Sequence, residues 1–147
     1  MKRWFVALGM LLCTLGTFCA STAAADDAAA CPASALDIPV DALYGRWEAR
    51  FGGGPNAAEV RFMPHPDYAG SVRGTIGGGG RAGAQLSGDI DNEGFLILDE
   101  SQDGRSISAV WSGEMQSGSC GKEFKGTWRN SSDDSTQPFV LRKTGNP

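Results

Sequence analysis

From Tyr44 to Lys143 the chain reads as short runs in which apolar and polar residues alternate, broken by clusters of Gly, Pro, Asn and Asp. A period of two is the mark of a strand with one buried face, and the breakers between runs are turn residues. The runs are Tyr44–Phe51, Ala57–Met63, Ser71–Gly77, Ala84–Ile90, Phe95–Glu100, Arg105–Glu114, Glu123–Arg129 and Pro138–Lys143. No window of ten or more residues carries a 3.6-residue amphipathic stripe. The sequence therefore predicts an all-β domain.

Alternation also assigns faces. Trp47, Ala49 and Phe51 fall on one side of the first run, Arg46, Glu48 and Arg50 on the other. Val60 and Phe62, Val72 and Ile76, Leu86 and Ile90, Phe124 and Trp128 are the inner sets of their runs, and Ile107, Ala109 and Trp111 form that of the sixth. One apolar and one wet face per strand argues for an antiparallel arrangement. Glycine recurs two residues before a large apolar group in Gly45-x-Trp47, Gly74-x-Ile76, Gly88-x-Ile90 and Gly126-x-Trp128. Glycine weakens a strand unless a bend or close backbone approach requires it, and small barrels need both. The expectation is an eight-stranded antiparallel meander closed into a small barrel, with a β-sandwich as the alternative.

Gly45-Arg46-Trp47 at the start of the first strand, eight runs in a meander and Arg142 in the last strand resemble the calycin group of lipocalin-like and avidin-like barrels. The resemblance implies a Trp at the barrel's opening, Trp47, crossed by a basic residue of the last strand, Arg142 or else Lys143. The Thr-Asp-Tyr type motif between later lipocalin strands and the long helix before the final strand are both missing here.

The N-terminus reads as an export signal. Lys2 and Arg3 precede an uncharged apolar stretch, Trp4 to Cys19, and small residues up to Ala25 offer a cleavage site. The domain organisation expected is a signal peptide over 1–25, a mobile leader over 26–43 and one barrel domain over 44–147, secreted or periplasmic. The apolar stretch is shorter than the ~20 residues of a bilayer span, so no membrane insertion is expected after cleavage. Cys19 follows the bulky Phe18, and Asp26 and Asp27 part Cys31 from the apolar run, both against lipidation. Cleavage removes two cations and no acid, taking the formal charge from −4 to −6. That acidic balance, with cations scattered singly, offers no footprint for nucleic acid. Cleavage also leaves only Cys31 and Cys120, and two cysteines in an oxidising compartment pair. Two free thiols are the alternative.

Several motifs compete with turns. Asp89-Ile-Asp91-Asn-Glu93-Gly94, with Glu100 in the twelfth place, has the spacing of an EF-hand loop. Its flanks are strand-like, and an extended Phe95–Glu100 carries Glu100 about 20 Å from the turn. A hairpin turn at 91–94 is the expected reading. Gly78-x-Gly80-x-x-Gly83 has no strand-to-helix setting and reads as a hairpin loop. His65, the single histidine, sits between prolines and reads as a turn residue; a Ser–His–acid site would need a serine close in space, for which Ser71 is the candidate. Asp99, Glu100 and Asp103 read as solvated charge around a turn. Asn130-Ser131-Ser132 forms a glycosylation sequon.

No enzyme, metal or cofactor is expected from these residues. Two functions remain open. The first is a binding module for a small apolar or ring-bearing ligand, with pocket candidates Trp47, Phe62, Trp111, Trp128 and Arg142; a filled core is the plainer reading of the same aromatic residues. The second is an interaction domain for a secreted protein partner, similar to periplasmic protease-inhibitor barrels, with residues 26–30 as the inserting arm.

Overall fold

In a computed structural model, which describes residues 31–147, eight strands close into a single antiparallel barrel in sequence order. They are β1 Gly45–Phe51, β2 Ala57–Pro64, β3 Val72–Gly78, β4 Arg81–Ile90, β5 Phe95–Ser101, β6 Ala109–Met115, β7 Glu123–Asn130 and β8 Thr136–Gly145. Closure is made by β1 pairing with β8, Glu48 opposite Arg142 and Ala49 opposite Leu141. A closed barrel leaves no unpaired strand edge, the reason such a meander is stable without a second layer. The expected signal peptide, 1–25, and the proposed arm, 26–30, lie outside the described residues.

The period of two is realised side chain by side chain. Trp47, Val60, Phe62, Val72, Ile76, Leu86, Leu96, Leu98, Trp111, Phe124, Phe139 and Leu141 point inward and are buried. Aromatic rings interlock along the axis: Trp47 meets Phe62 and Phe124 at 6.0 Å, and Trp111 meets Phe139 at 4.9 Å. Edge-on and tilted packing of this kind lets rings fill a narrow barrel without voids.

Two of the recurring glycines show what such packing demands. A Cβ on Gly74 would stand 2.7 Å from the Phe62 ring. One on Gly126 would meet the Ser112 carbonyl oxygen and come 2.6 Å from Gly113 Cα. The neighbouring strand and ring occupy the space a side chain would need, which is why these strands tolerate glycine.

The β3–β4 turn at Gly79-Gly80 has positive φ at both central residues, as a type I′ hairpin requires. It is therefore a strand-to-strand turn. Asp91 Oδ1 accepts from the backbone N–H groups of Glu93 and Phe95, each at 2.9 Å, and fixes the β4–β5 hairpin.

Two expectations are corrected. The sequence predicts a mobile leader over 26–43; in its described part, 31–43, 3₁₀ turns at Ala35–Asp37 and Val40–Leu43 instead bury Ala35, Ile38 and Leu43 against one end of the barrel. The apolar spacing of these residues gives the segment enough buried surface to dock despite Pro32 and Pro39. The sixth strand starts at Ala109, not Arg105, and Ile107 is 50 % exposed. Asp103 holds residues 105 and 106 in a tight turn, so alternation does not extend back through them.

Candidate functional site

The two ends of the barrel differ. At the plugged end, Trp47 Nε1 donates to the Leu43 carbonyl at 2.8 Å. Lys143 Nζ donates to the Ala42 carbonyl at 2.7 Å and lies 5.8 Å from the Trp47 ring centre. The resemblance offered Arg142 or Lys143 for the position across Trp47, and Lys143 takes it. Arg142 points outward, where its Nη2 and Nε donate to Glu123 at 2.7 and 2.9 Å. Its place as a pocket residue is thereby corrected: Leu141 is inward, so Arg142 is outward by the alternation of β8. The pairing of Cys31 with Cys120, on the β6–β7 loop, ties the N-terminal segment to this same end, as the cysteine count led us to expect. The disulfide fits a non-reducing compartment.

The opposite, open end carries the charge. Leu96, Leu98 and Glu100 share the inner face of β5, and Glu100 is 2 % exposed. Its Oε2 accepts from Trp111 Nε1 and from Trp128 Nε1, both at 2.9 Å. Arg81, the first residue of β4, folds over the rim and brings Nη2 to 3.3 Å from Oε1 and 3.5 Å from Oε2. Its guanidinium carbon lies 4.1 Å from the Phe51 ring centre and 5.0 Å from that of Trp128. Phe51 in turn packs edge-on to Trp111 at 5.0 Å. A buried carboxylate is thus held by two indole N–H groups and one cation, inside an aromatic wall.

Glu100 was expected among solvated acids. Asp99 and Asp103 are exposed, but Glu100 belongs to the barrel interior. No buried side-chain polar atom is left without a partner among the described residues. That satisfaction is what permits a charge there at all, since an unpaired buried carboxylate would be prohibitively costly. The pattern Leu96-x-Leu98-x-Glu100 contained the signal. Arg81 had none, because it reaches the interior from a strand end.

Of the five pocket candidates, Trp111 and Trp128 meet at the open end and are paired across β6 and β7. Trp47 and Phe62 pack together nearer the plugged end. Beside Trp128 the open end carries a solvent-open surface groove of about 390 Å³ lined by Gln102, Ile107, Ser108, Asn130, Ser131 and Ser132. Its lining combines the Trp128 ring and the Ile107 side chain with the amides of Gln102 and Asn130 and three serine hydroxyls.

Asp103 shapes that rim. It accepts from the Arg105 and Ser106 amides, each at 2.8 Å, and from the Ser106 and Ser101 hydroxyls at 2.7 and 3.1 Å. These bonds, those from Ser106 foremost, hold its carboxyl well below the usual carboxylate range. A folded-state value below the unfolded one stabilises fully above the unfolded value, about 3.9, and is lost as pH falls towards the folded one. The Arg105 and Ser106 amide resonances should accordingly stay fixed on acidification through about pH 4, where an ordinary Asp titrates. A midpoint near that pH would contradict the bonded rim.

The remaining motifs are structural in place. His65 Nδ1 accepts from the Asp67 and Tyr68 amides at 3.1 and 3.2 Å, so the ring caps its own turn. Ser71 Oγ donates to Asp89 at 3.0 Å. Asn130 Oδ1 accepts from the amide and hydroxyl of Ser132. Among the described residues no three ligating side chains gather as a metal site would need.

No family model matches the chain, and neither does any curated protein or solved structure. The eight-stranded barrel stands on its own geometry.

Proposed function

We propose that the protein is an exported, non-catalytic binding module that takes a small ring-bearing ligand at the open end of the barrel. The observation that carries this reading is the meeting of Phe51, Trp111 and Trp128 around the Arg81–Glu100 pair, beside a solvent-open groove of about 390 Å³. Ligand sites join apolar walls to a few convergent polar groups, and this end supplies both. The interior itself is packed with rings, so a ligand seated at the mouth displaces far less structure than one driven down the axis. A buried ion pair is also a weak stability device, often replaceable by apolar side chains, which leaves recognition as the use that fits it. Export rests on the charged and apolar N-terminus together with a disulfide-compatible compartment. Kinship with calycins rests on the meander, Gly45-x-Trp47 and Lys143 beside Trp47.

The test is thermal unfolding of the mature oxidised protein with a panel of aromatic and saturated-ring compounds. A true ligand raises Tm with concentration, because it adds about 2.7 kcal/mol to the unfolding free energy at a hundred times its Kd. Ile107→Ala and Gln102→Ala, both exposed at the mouth, should weaken that response while leaving the unliganded Tm within a degree or two. A response indifferent to both substitutions would place binding elsewhere. No response across the panel would favour a protein partner. The exposed Leu36 and Tyr68, 57 % and 66 % accessible and both at the plugged end, are where such a partner would be sought.

A further inference from the structure

Resting on the open end as the binding face, we infer that the Glu100 carboxylate and the rings around it form a receptor for an alkylguanidinium group, which Arg81 fills as a displaceable plug. The site is shown holding a guanidinium: charge on Glu100, a ring face at Phe51 and a second at Trp128. An aromatic wall beside a carboxylate is the environment a delocalised, weakly hydrated cation favours.

Three features make Arg81 an occupant that can leave. Its contacts to Glu100 are long, 3.3 and 3.5 Å, and come from one nitrogen. Charge-assisted N–H···O bonds reach 2.7–2.9 Å, and a guanidinium bonds a carboxylate best through two parallel bonds. A guanidinium not tethered at the rim is free to approach both oxygens as a fork. The two indole donors, by contrast, sit at a good 2.9 Å on Oε2 and preorganise the carboxylate without Arg81. The tether itself is the run Gly77-Gly78-Gly79-Gly80, in which three of the four have positive φ and the ladder slips between Ile76 and Gly78. Glycine has the widest backbone freedom. Ala82 and Gly83 beyond it are exposed, so the start of β4 can shift without opening the core.

The ligand class is therefore a guanidinium on an alkyl stem, either a free solute or an arginine side chain of a peptide. The experiment titrates ethylguanidinium chloride into the oxidised wild-type protein and follows the indole N–H resonances of Trp111 and Trp128, with sodium chloride and ethylammonium chloride as controls. Saturable shifts of both resonances in the wild type, beyond those caused by either control, are expected. Arg81→Ala should tighten the response about tenfold or more, because the competing state is removed. Glu100→Gln should abolish it. Arg81→Gln replaces Arg81→Ala if the smaller side chain unfolds the rim. N-acetyl-arginine amide against the peptide acetyl-Ala-Arg-Ala-amide separates the two sources, the peptide binding more tightly if the natural ligand is chain-borne.

Wild-type resonances that do not move overturn the inference, whether or not Arg81→Ala responds, since Arg81 would then be a fixed strut. Shifts that persist in Glu100→Gln overturn it as well. If ring compounds raise Tm through Ile107 while ethylguanidinium does nothing, the mouth remains a binding site and only the guanidinium assignment falls.

Discussion

Glu100→Ala is expected to lower the free energy of unfolding by about 3–5 kcal/mol, the range for breaking a buried ion pair from one side. The substitution strands three groups at once. Trp111 and Trp128 each lose the acceptor that their indole N–H meets at 2.9 Å, and Arg81 loses its counter-charge. Buried donors left unpaired cost about 1–3 kcal/mol each. Arg81 softens the total, because its half-buried side chain can swing out into water on the glycine turn. Glu100→Gln should cost less, since an amide oxygen still accepts from both indoles while the cation alone goes unmatched. Removing both charges tests the interpretation: Arg81→Leu with Glu100→Leu should recover part of the loss through apolar packing, yet abolish the response to ethylguanidinium. Urea unfolding followed by tryptophan fluorescence measures all three. A loss below about 1 kcal/mol for Glu100→Ala, the value of an exposed pair, would mean the carboxylate is solvated and the open end is not the closed polar cluster described above.

Glu100 also marks the boundary of what the sequence made legible. Alternation located all eight strands, because each strand buries one face and a slip of one residue would expose its entire apolar set. The spaced glycines foretold close strand approach, and the collisions a Cβ would meet at Gly74 and Gly126 are its physical content. The same rule, extended through Leu96 and Leu98, puts Glu100 inside. Its charge argued against that reading, because the partners that offset burial are remote in sequence, at positions 81, 111 and 128. Applied to Phe139 and Leu141, the rule likewise turns Lys143 inward and Arg142 out. Ile107 failed for the opposite reason: an apolar residue in step with Ala109 and Trp111 was drawn off the strand by the turn that Asp103 organises. Local side-chain bonding of this kind competes with the ladder, and alternation is blind to it.

The largest effect outside the open end is expected from the disulfide. Replacing Cys31 and Cys120 together by serine should cost about 4–5 kcal/mol, because the cross-link spans 89 residues and its loss frees the unfolded chain. That chain-entropy estimate is separable from docking of the N-terminal segment, which retains its own anchors: Trp47 to the Leu43 carbonyl, Lys143 to the Ala42 carbonyl, and the burial of Leu43. The Ala42 and Tyr44 amides, which donate to the Pro39 and Asp41 carbonyls, should thus stay protected from exchange in the double variant. Ile38, whose amide donates to Ala35 and whose side chain packs under Gly121 beside the bridge, should lose protection. Cys120 adds a smaller term. Its φ of 54° is a left-handed conformation that non-glycine residues enter at a cost, and Cys120→Gly in place of serine should return some of the stability. Denaturant unfolding and exchange, measured on the same samples, decide between mechanisms. If stability falls by the expected amount while the Ala42 and Tyr44 amides hold, the bridge acts mainly on the unfolded chain. If those residues lose protection together with Ile38, the bridge is what seats the segment, and the plugged end depends on oxidation for its shape.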